Sequence, residues 1–312
     1  MSTVHKSEDH GGVYRVRNAI SNFVNEHIVA VFLGPALLTI AAVFVYPVLQ
    51  LIGQSFFVRQ PMGLRFVGLE NYVQLFSSSQ FWNYFVTTLL YSFGSLVLSV
   101  LSGLALALAI NHVRRKWLRN TYSTVILFAW AVPLGVIVVI FRFMLQGGNL
   151  GLLNQVLTDL GFGSLARAWL AQNQLALPLV TITDAWARMP FAMILFLAGL
   201  QSIPEYMYDA TRVDGATTFQ AFRHITIPYL RPYIAIVGLL NWMFAFRAFA
   251  VIYPMTQGGP GARTTTLSIY IYQEAMVRFN TGYGAAISTF LVLLTILVAI
   301  FYVKIVLQRI EE

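Results

Sequence analysis

Cysteine is missing from all 312 residues, which removes disulfides, thiolate metal sites and a cysteine nucleophile at once. Charge is scarce too: Asp, Glu, Lys and Arg make up 10% of the chain against 58% apolar residues, and the mean hydropathy is +0.69. A water-soluble globule carries about a quarter charged residues, so a bilayer is the natural solvent for this chain. Lysine is limited to Lys6, Lys116 and Lys304, none of which follows a glycine. A P-loop needs Gly-Lys ahead of Ser or Thr, because backbone amides cradle the phosphates while the lysine reaches them; that nucleotide site is excluded. Nucleophile elbows, HExxH helices and paired carboxylates in a hydrophilic stretch are also lacking, which argues against an enzyme. His5, His10, His27, His112 and His224 share no ligand spacing, so no metal site is expected.

What is present is long uncharged runs. A helix needs about 20 apolar residues to cross the hydrocarbon core. Six segments meet that length, at about 28–50, 84–110, 120–141, 175–201, 233–255 and 283–305, the fourth interrupted by Asp184 and Arg188 and the fifth by Arg247. The expected fold is all-α, a polytopic membrane protein of six transmembrane helices. Residues 1–27 mix acids, bases and glycines without the apolar core of a signal peptide, and read as a cytoplasmic tail. Lys and Arg concentrate on cytoplasmic flanks. With the N-terminus inside, twelve of them fall on that side, including the cluster Arg114, Arg115, Lys116 and Arg119, against six outside, so both termini are expected in the cytoplasm. The net charge of +8 thus punctuates apolar runs instead of clustering on one face with aromatics, and nucleic acid is not an expected partner. Outside, glycines flank an apolar stretch from Leu150 to Leu160 that suggests a short interfacial helix.

The one long hydrophilic loop on the cytoplasmic side is 202–232. Ser202, Pro204 and Glu205 predict a helix start in which Glu205 reaches back to the Ser202 amide. Tyr206, Met207, Ala210 and Val213 recur at helical spacing, and Gly215 supplies a sharp turn. A second helix from about Thr217 to Ile225 is expected to present Phe219, Phe222 and Ile225 on one face and to stop at Pro228. Two short helices with exposed aromatics make a knob for a protein partner; the same hairpin lying flat on lipid headgroups is the alternative.

Asp209-Ala210-Thr211, Gly215, Ile225 and Ile227-Pro228 resemble the permease signature of ABC importers, Glu-Ala-Ala, three residues, Gly, nine residues, Ile-x-Leu-Pro. Every spacing fits, with Asp209 for Glu, Thr211 for Ala and Ile227 for Leu. Tyr253 to Pro260 followed by Thr264-Thr265-Thr266-Leu267 and Tyr270, and Phe66 to Tyr72, are similar to the permeases of sugar importers of the maltose, trehalose and glycerol-3-phosphate type. The resemblance implies a type I importer permease in a prokaryotic inner or plasma membrane. It would pair with a second permease, two ATPase subunits that bind ATP and Mg, and an extracytoplasmic binding protein, while binding no cofactor itself. It also implies an ATPase-coupling role for Asp209, Ala210, Gly215 and Pro228, beside Glu205, Phe219 and Phe222 on the same knob. By the same resemblance, substrate would pass Trp130, Arg188, Phe191 and the segment Phe244, Ala245, Arg247, Ala248; Asp184 joins that path because a mid-membrane charge persists where it pairs or lines a wet cavity.

Plain packing competes with those roles. Asp184 and Arg188, four apart, can form a structural ion pair, and Trp130 and Phe244 can be core. Arg247 is expected to share a helical stripe with Phe244, Ala248 and Val251 and to find its partner elsewhere, Asp184 or substrate among the options. A proton-coupled secondary transporter titrating Asp184 is the rival function.

Overall fold

The computed structural model describes residues 28–61 and 63–311; the expected tail, with His5, His10 and His27, lies outside them. The chain divides into one unit ending at Gln54 and another beginning at Ser55. In the first, α1 (Ile28–Ile40), a π-helical turn (Ala41–Val45) and α2 (Tyr46–Gln54) follow one another without interruption. No residue from Phe32 to Gln54 is buried, and Phe32, Leu38 and Phe44 stand exposed, as a helix solvated by lipid requires.

The second unit begins with an antiparallel hairpin of β1 (Phe57–Gln60) and β2 (Gly63–Phe66), with Phe57 opposite Phe66. It leads into α3 (Glu70–Ser77). Asn71 is buried and donates to the Ser55 carbonyl at 2.7 Å and the Phe57 carbonyl at 3.1 Å, while the Tyr72 and Ser55 hydroxyls meet at 2.6 Å. The Phe66 to Tyr72 motif is therefore a staple that holds the hairpin to the helix.

At the centre, α4 (Ser79–Asn111) packs along α8 (Ala176–Gln201). Lipid tails are as apolar as leucine, so helices associate in a membrane through close backbone approach and polar side chains. The buried edge of α4 shows this: Thr88, Ser92, Ser95, Ser99, Gly103 and Ala107 recur at three- and four-residue spacing. At Gly103 a β-carbon would lie 2.6 Å from Ala192 Cβ and 3.0 Å from the Met193 amide nitrogen, so only glycine lets the helices come this close.

The third apolar segment is two helices. α5 (Lys116–Ala131) and α6 (Leu134–Met144) meet at 90°. Pro133 lacks an N–H and disfavours helical backbone at the residue before it; Val132 is extended at φ −67°, ψ 128°. The straight span expected over 120–141 is thus replaced by a bent pair. The connection that follows carries α7 (Leu152–Asp159), close to the helix expected there. It closes on buried Asn154, whose amide donates to the carbonyls of Gln146, Gly148 and Arg167 and accepts from the Arg167 amide and the Trp169 indole.

After α8 come α9 (Glu205–Val213), α10 (Thr218–Ala221), a π-helical turn (Phe222–Thr226) and α11 (Ile227–Phe246). The fifth span ends at Phe246, earlier than expected: Arg247 and Ala248 leave helical geometry, and α12 (Phe249–Thr256) starts afresh. α13 (Leu267–Tyr272), another π-helical turn (Gln273–Val277) and α14 (Thr281–Glu311) complete the chain. Among the described residues five helices are long and apolar enough to cross a bilayer, and the count is six when the bent pair is taken as one passage. Buried threonines close the loop between α12 and α13: Thr264 Oγ1 donates to the Gly259 carbonyl at 2.7 Å, and Thr265 Oγ1 to the Gly258 carbonyl at 3.0 Å. The Leu267 amide donates to Thr88 Oγ1 at 2.9 Å, tying that loop to α4.

Candidate functional site

A charge at mid-membrane costs about 2.5–3.5 kcal/mol on insertion scales, so it survives only when paired or facing water. Four-residue spacing brings Asp184 and Arg188 to one side of α8. Arg188 grips the carboxylate with two contacts, Nη2 to Oδ1 at 2.8 Å and Nε to Oδ2 at 2.9 Å. Ser95 of α4 donates its hydroxyl to the same Oδ2. Asp184 is fully buried, whereas the Arg188 side chain keeps 16% of its surface exposed. The Arg188 guanidinium carbon lies 5.3 Å from the centre of the Phe244 ring. The pair is neutral as a whole but leaves guanidinium N–H donors over an aromatic face, since a guanidinium has five.

Phe244 is half exposed, and so is Trp130, which stacks on Phe191 with centroids 6.0 Å apart just before the Pro133 bend. Other candidates part company with these. Ala245 and Ala248 are buried in an apolar cluster with Val251 and Ile252. Arg247 is exposed and has no side-chain partner among the described residues, so it does not pair with Asp184. The stripe expected to join Arg247 with Phe244, Ala248 and Val251 does not exist, because the helix ends at Phe246 and the backbone turns: Phe244 faces out while Ala248 and Val251 face in. The Ser95 contribution was not anticipated. Its trace in the sequence is the run of Ser and Thr at three- and four-residue intervals inside an otherwise apolar α4.

In the loop 202–232, Gly215 takes φ +70° between α9 and α10, the left-handed turn expected of it. The reach of Glu205 back to Ser202 is absent, for a physical reason. The Ser202 amide still donates into the end of α8 and its hydroxyl donates to the Gly199 carbonyl at 2.7 Å, so no orphan amide is left to cap. A capping box forms further on instead, where the Thr217 amide donates to Gln220 Oε1 at 2.7 Å and the Gln220 amide to Thr217 Oγ1 at 3.3 Å. Nor does Pro228 end the second helix. The π-helical turn at Phe222–Thr226 carries the chain straight into α11, with Pro228 in the first turn of that helix, where a missing N–H is tolerated. The expected aromatic face also divides: Phe219 is exposed, Phe222 partly covered, and Ile225 buried near Leu230. The outward surface therefore consists of Tyr206, Val213 and Phe219, with Glu205, Ala210 and the exposed pair Asp209–Arg212, N to O 2.8 Å, on the same short helices.

These features define a membrane permease: a bundle with polar groups buried between its central helices and a solvent-facing two-helix knob. Residues 102–312 match the sequence profile of the family described as binding-protein-dependent transport system inner membrane component, and the chain belongs to that family. It is similar to the sulfoquinovosyl glycerol transport system permease protein SmoG of Agrobacterium fabrum, 33% identical over 278 residues and covering 88% of each chain. It is likewise similar to the trehalose/maltose transport system permease protein MalF of Thermococcus litoralis, 35% identical over 240 residues, 77% of this chain and 79% of that one. In fold it matches a bacterial ABC transporter for import of the acidic polysaccharide alginate, with a TM-score of 0.80 at 24% identity over 94% of this chain and all of the other. The protein is a permease subunit of the ABC importer class with the type I fold. The rival of a proton-coupled carrier finds no support, and the carboxylate it would use is already gripped by Arg188.

Proposed function

We propose that this permease imports a sugar, an oligosaccharide or a related polyol or glycerol phosphate. It would work beside a second, non-identical permease, with two ATPase subunits that bind ATP and Mg and hydrolyse the nucleotide, and with an extracytoplasmic binding protein that delivers the substrate. Relatives named for trehalose and maltose and for sulfoquinovosyl glycerol support the substrate class. The distribution of Lys and Arg supports cytoplasmic termini, with the loop 202–232 on the same side. There Glu205, Asp209, Ala210, Gly215, Phe219, Phe222 and Pro228 form or shape the knob that engages an ATPase.

One observation carries the substrate reading: Arg188, held flat by Asp184, lies over the half-exposed Phe244 ring. A pyranose offers an apolar face and a rim of hydroxyls, which an aromatic ring and a guanidinium edge match. Trp130 on Phe191 supplies a second aromatic wall, and Arg247 an exposed cation at the helix break. Ala245 and Ala248 shape that break from inside. The test is uptake of a labelled disaccharide by proteoliposomes holding the complete complex, with the cognate binding protein outside. Uptake should require enclosed ATP, and Phe244→Ala should raise the apparent KM about two- to tenfold with subunit assembly intact. Uptake without ATP, or an unchanged KM, would refute the proposal.

A further inference from the structure

Where the end of α4, the start of α5 and the α9–α10 turn converge, they line a half-open cavity of about 770 Å³. That is ample for a small ligand or a headgroup. Its walls carry His112, Arg114, Arg119 and Arg212 against a single carboxylate, Glu205. Arg212 is held by Asp209. Arg119 is different: its Nε is buried, and no acceptor meets it among the described residues. Leaving a buried donor unmade is costly, more so when it belongs to a cation. Hydroxyls of Tyr208 and Thr226, 2.9 Å from each other, also line the space, and Leu108, Leu200 and Ile203 give it an apolar floor.

Retention of positive charge on one flank of the membrane would account for basic residues in the α4–α5 connection. It requires neither a cavity nor a buried guanidinium, and exposed Arg115 and Lys116, which do not line the space, already serve it. We propose that this cavity is a binding site for a phosphate-bearing group, which accepts from Arg119 Nε and from the Arg114 guanidinium. A tetrahedral phosphate presents several charged acceptors that a guanidinium fork matches. Basic pockets between transmembrane helices take lipid headgroups in this way. The same chemistry could come from a phospholipid headgroup or a soluble phosphate. Since α9 and α10 form one wall, an occupant would brace the knob against α4 and α5. The site is separate from the sugar path, and it shares Glu205 and Phe222 with the knob.

The test uses the intact complex, stripped of lipid in detergent, with native mass spectrometry after addition of phosphatidylglycerol or phosphatidylcholine, and with inorganic phosphate as competitor. Preferential retention of phosphatidylglycerol that phosphate does not displace would support the site with a lipid source. Displacement by phosphate, or phosphate binding by calorimetry, would support it with a soluble source. In either case Arg119→Gln should weaken binding about tenfold or more. Arg119→Lys should keep part of it, and Arg115→Gln should leave it unchanged. Retention of neither probe, or equal losses in Arg115→Gln and Arg119→Gln, would overturn the proposal.

Discussion

Separating Asp184 from Arg188 should damage the protein unequally, according to which partner is removed. With Arg188→Met the carboxylate stays fully buried, left with the Ser95 hydroxyl and no countercharge. Removing one partner of a buried pair costs about 3–5 kcal/mol, and this case belongs at the upper end. With Asp184→Asn the remaining cation is better placed: the Arg188 side chain is 16% exposed and lies over Phe244. A partly wet guanidinium on an aromatic face recovers about 0.5–2 kcal/mol, which puts this loss nearer 2–3 kcal/mol. The double replacement Asp184→Asn, Arg188→Met removes both charges and should be milder than Arg188→Met alone. The assay is thermal unfolding of the purified complex followed by fluorescence-detected size exclusion, with uptake measured in parallel. A coupling of about 1.5 kcal/mol or more between the two positions is expected from a double-mutant cycle. Additive losses, or a larger loss for Asp184→Asn than for Arg188→Met, would refute the reasoning.

Gly103→Val should separate α4 from α8, because even a β-carbon meets Ala192 and Met193 at 2.6–3.0 Å. A loss of about 1–3 kcal/mol, typical of overpacking, should appear as lower thermal stability, while the exposed neighbour Leu101→Val should change little. At Gly215 the space is open and only φ +70° penalises a side chain. Gly215→Val should therefore cost about 1–2 kcal/mol locally and reduce both ATPase co-purification and uptake. Gly215→Asn, better suited to left-handed backbone, should keep most of both; equal behaviour of the two variants would detach the role from the turn.

Chain chemistry alone carried the membrane class and the signature loop, because these depend on composition, on run length and on local spacing. Asp184 and Arg188 were legible for the same reason: a four-residue interval on a helix places two side chains together whatever surrounds them. Gly215 was legible because only glycine takes its backbone region cheaply. Where several elements compete for one group, local reading failed. Ser202 looked like a helix start but finishes the preceding helix. Pro228 looked like a stop, yet it sits in the first turn of α11, which the π-helical turn before it leads into. The stripe through Arg247 assumed a helix that tertiary packing interrupts one residue earlier. Ser95, 89 residues away in sequence from the carboxylate it serves, became visible only when α4 lay along α8. A serine in an apolar run carries no mark of its partner; close packing of two helices through small residues supplies it.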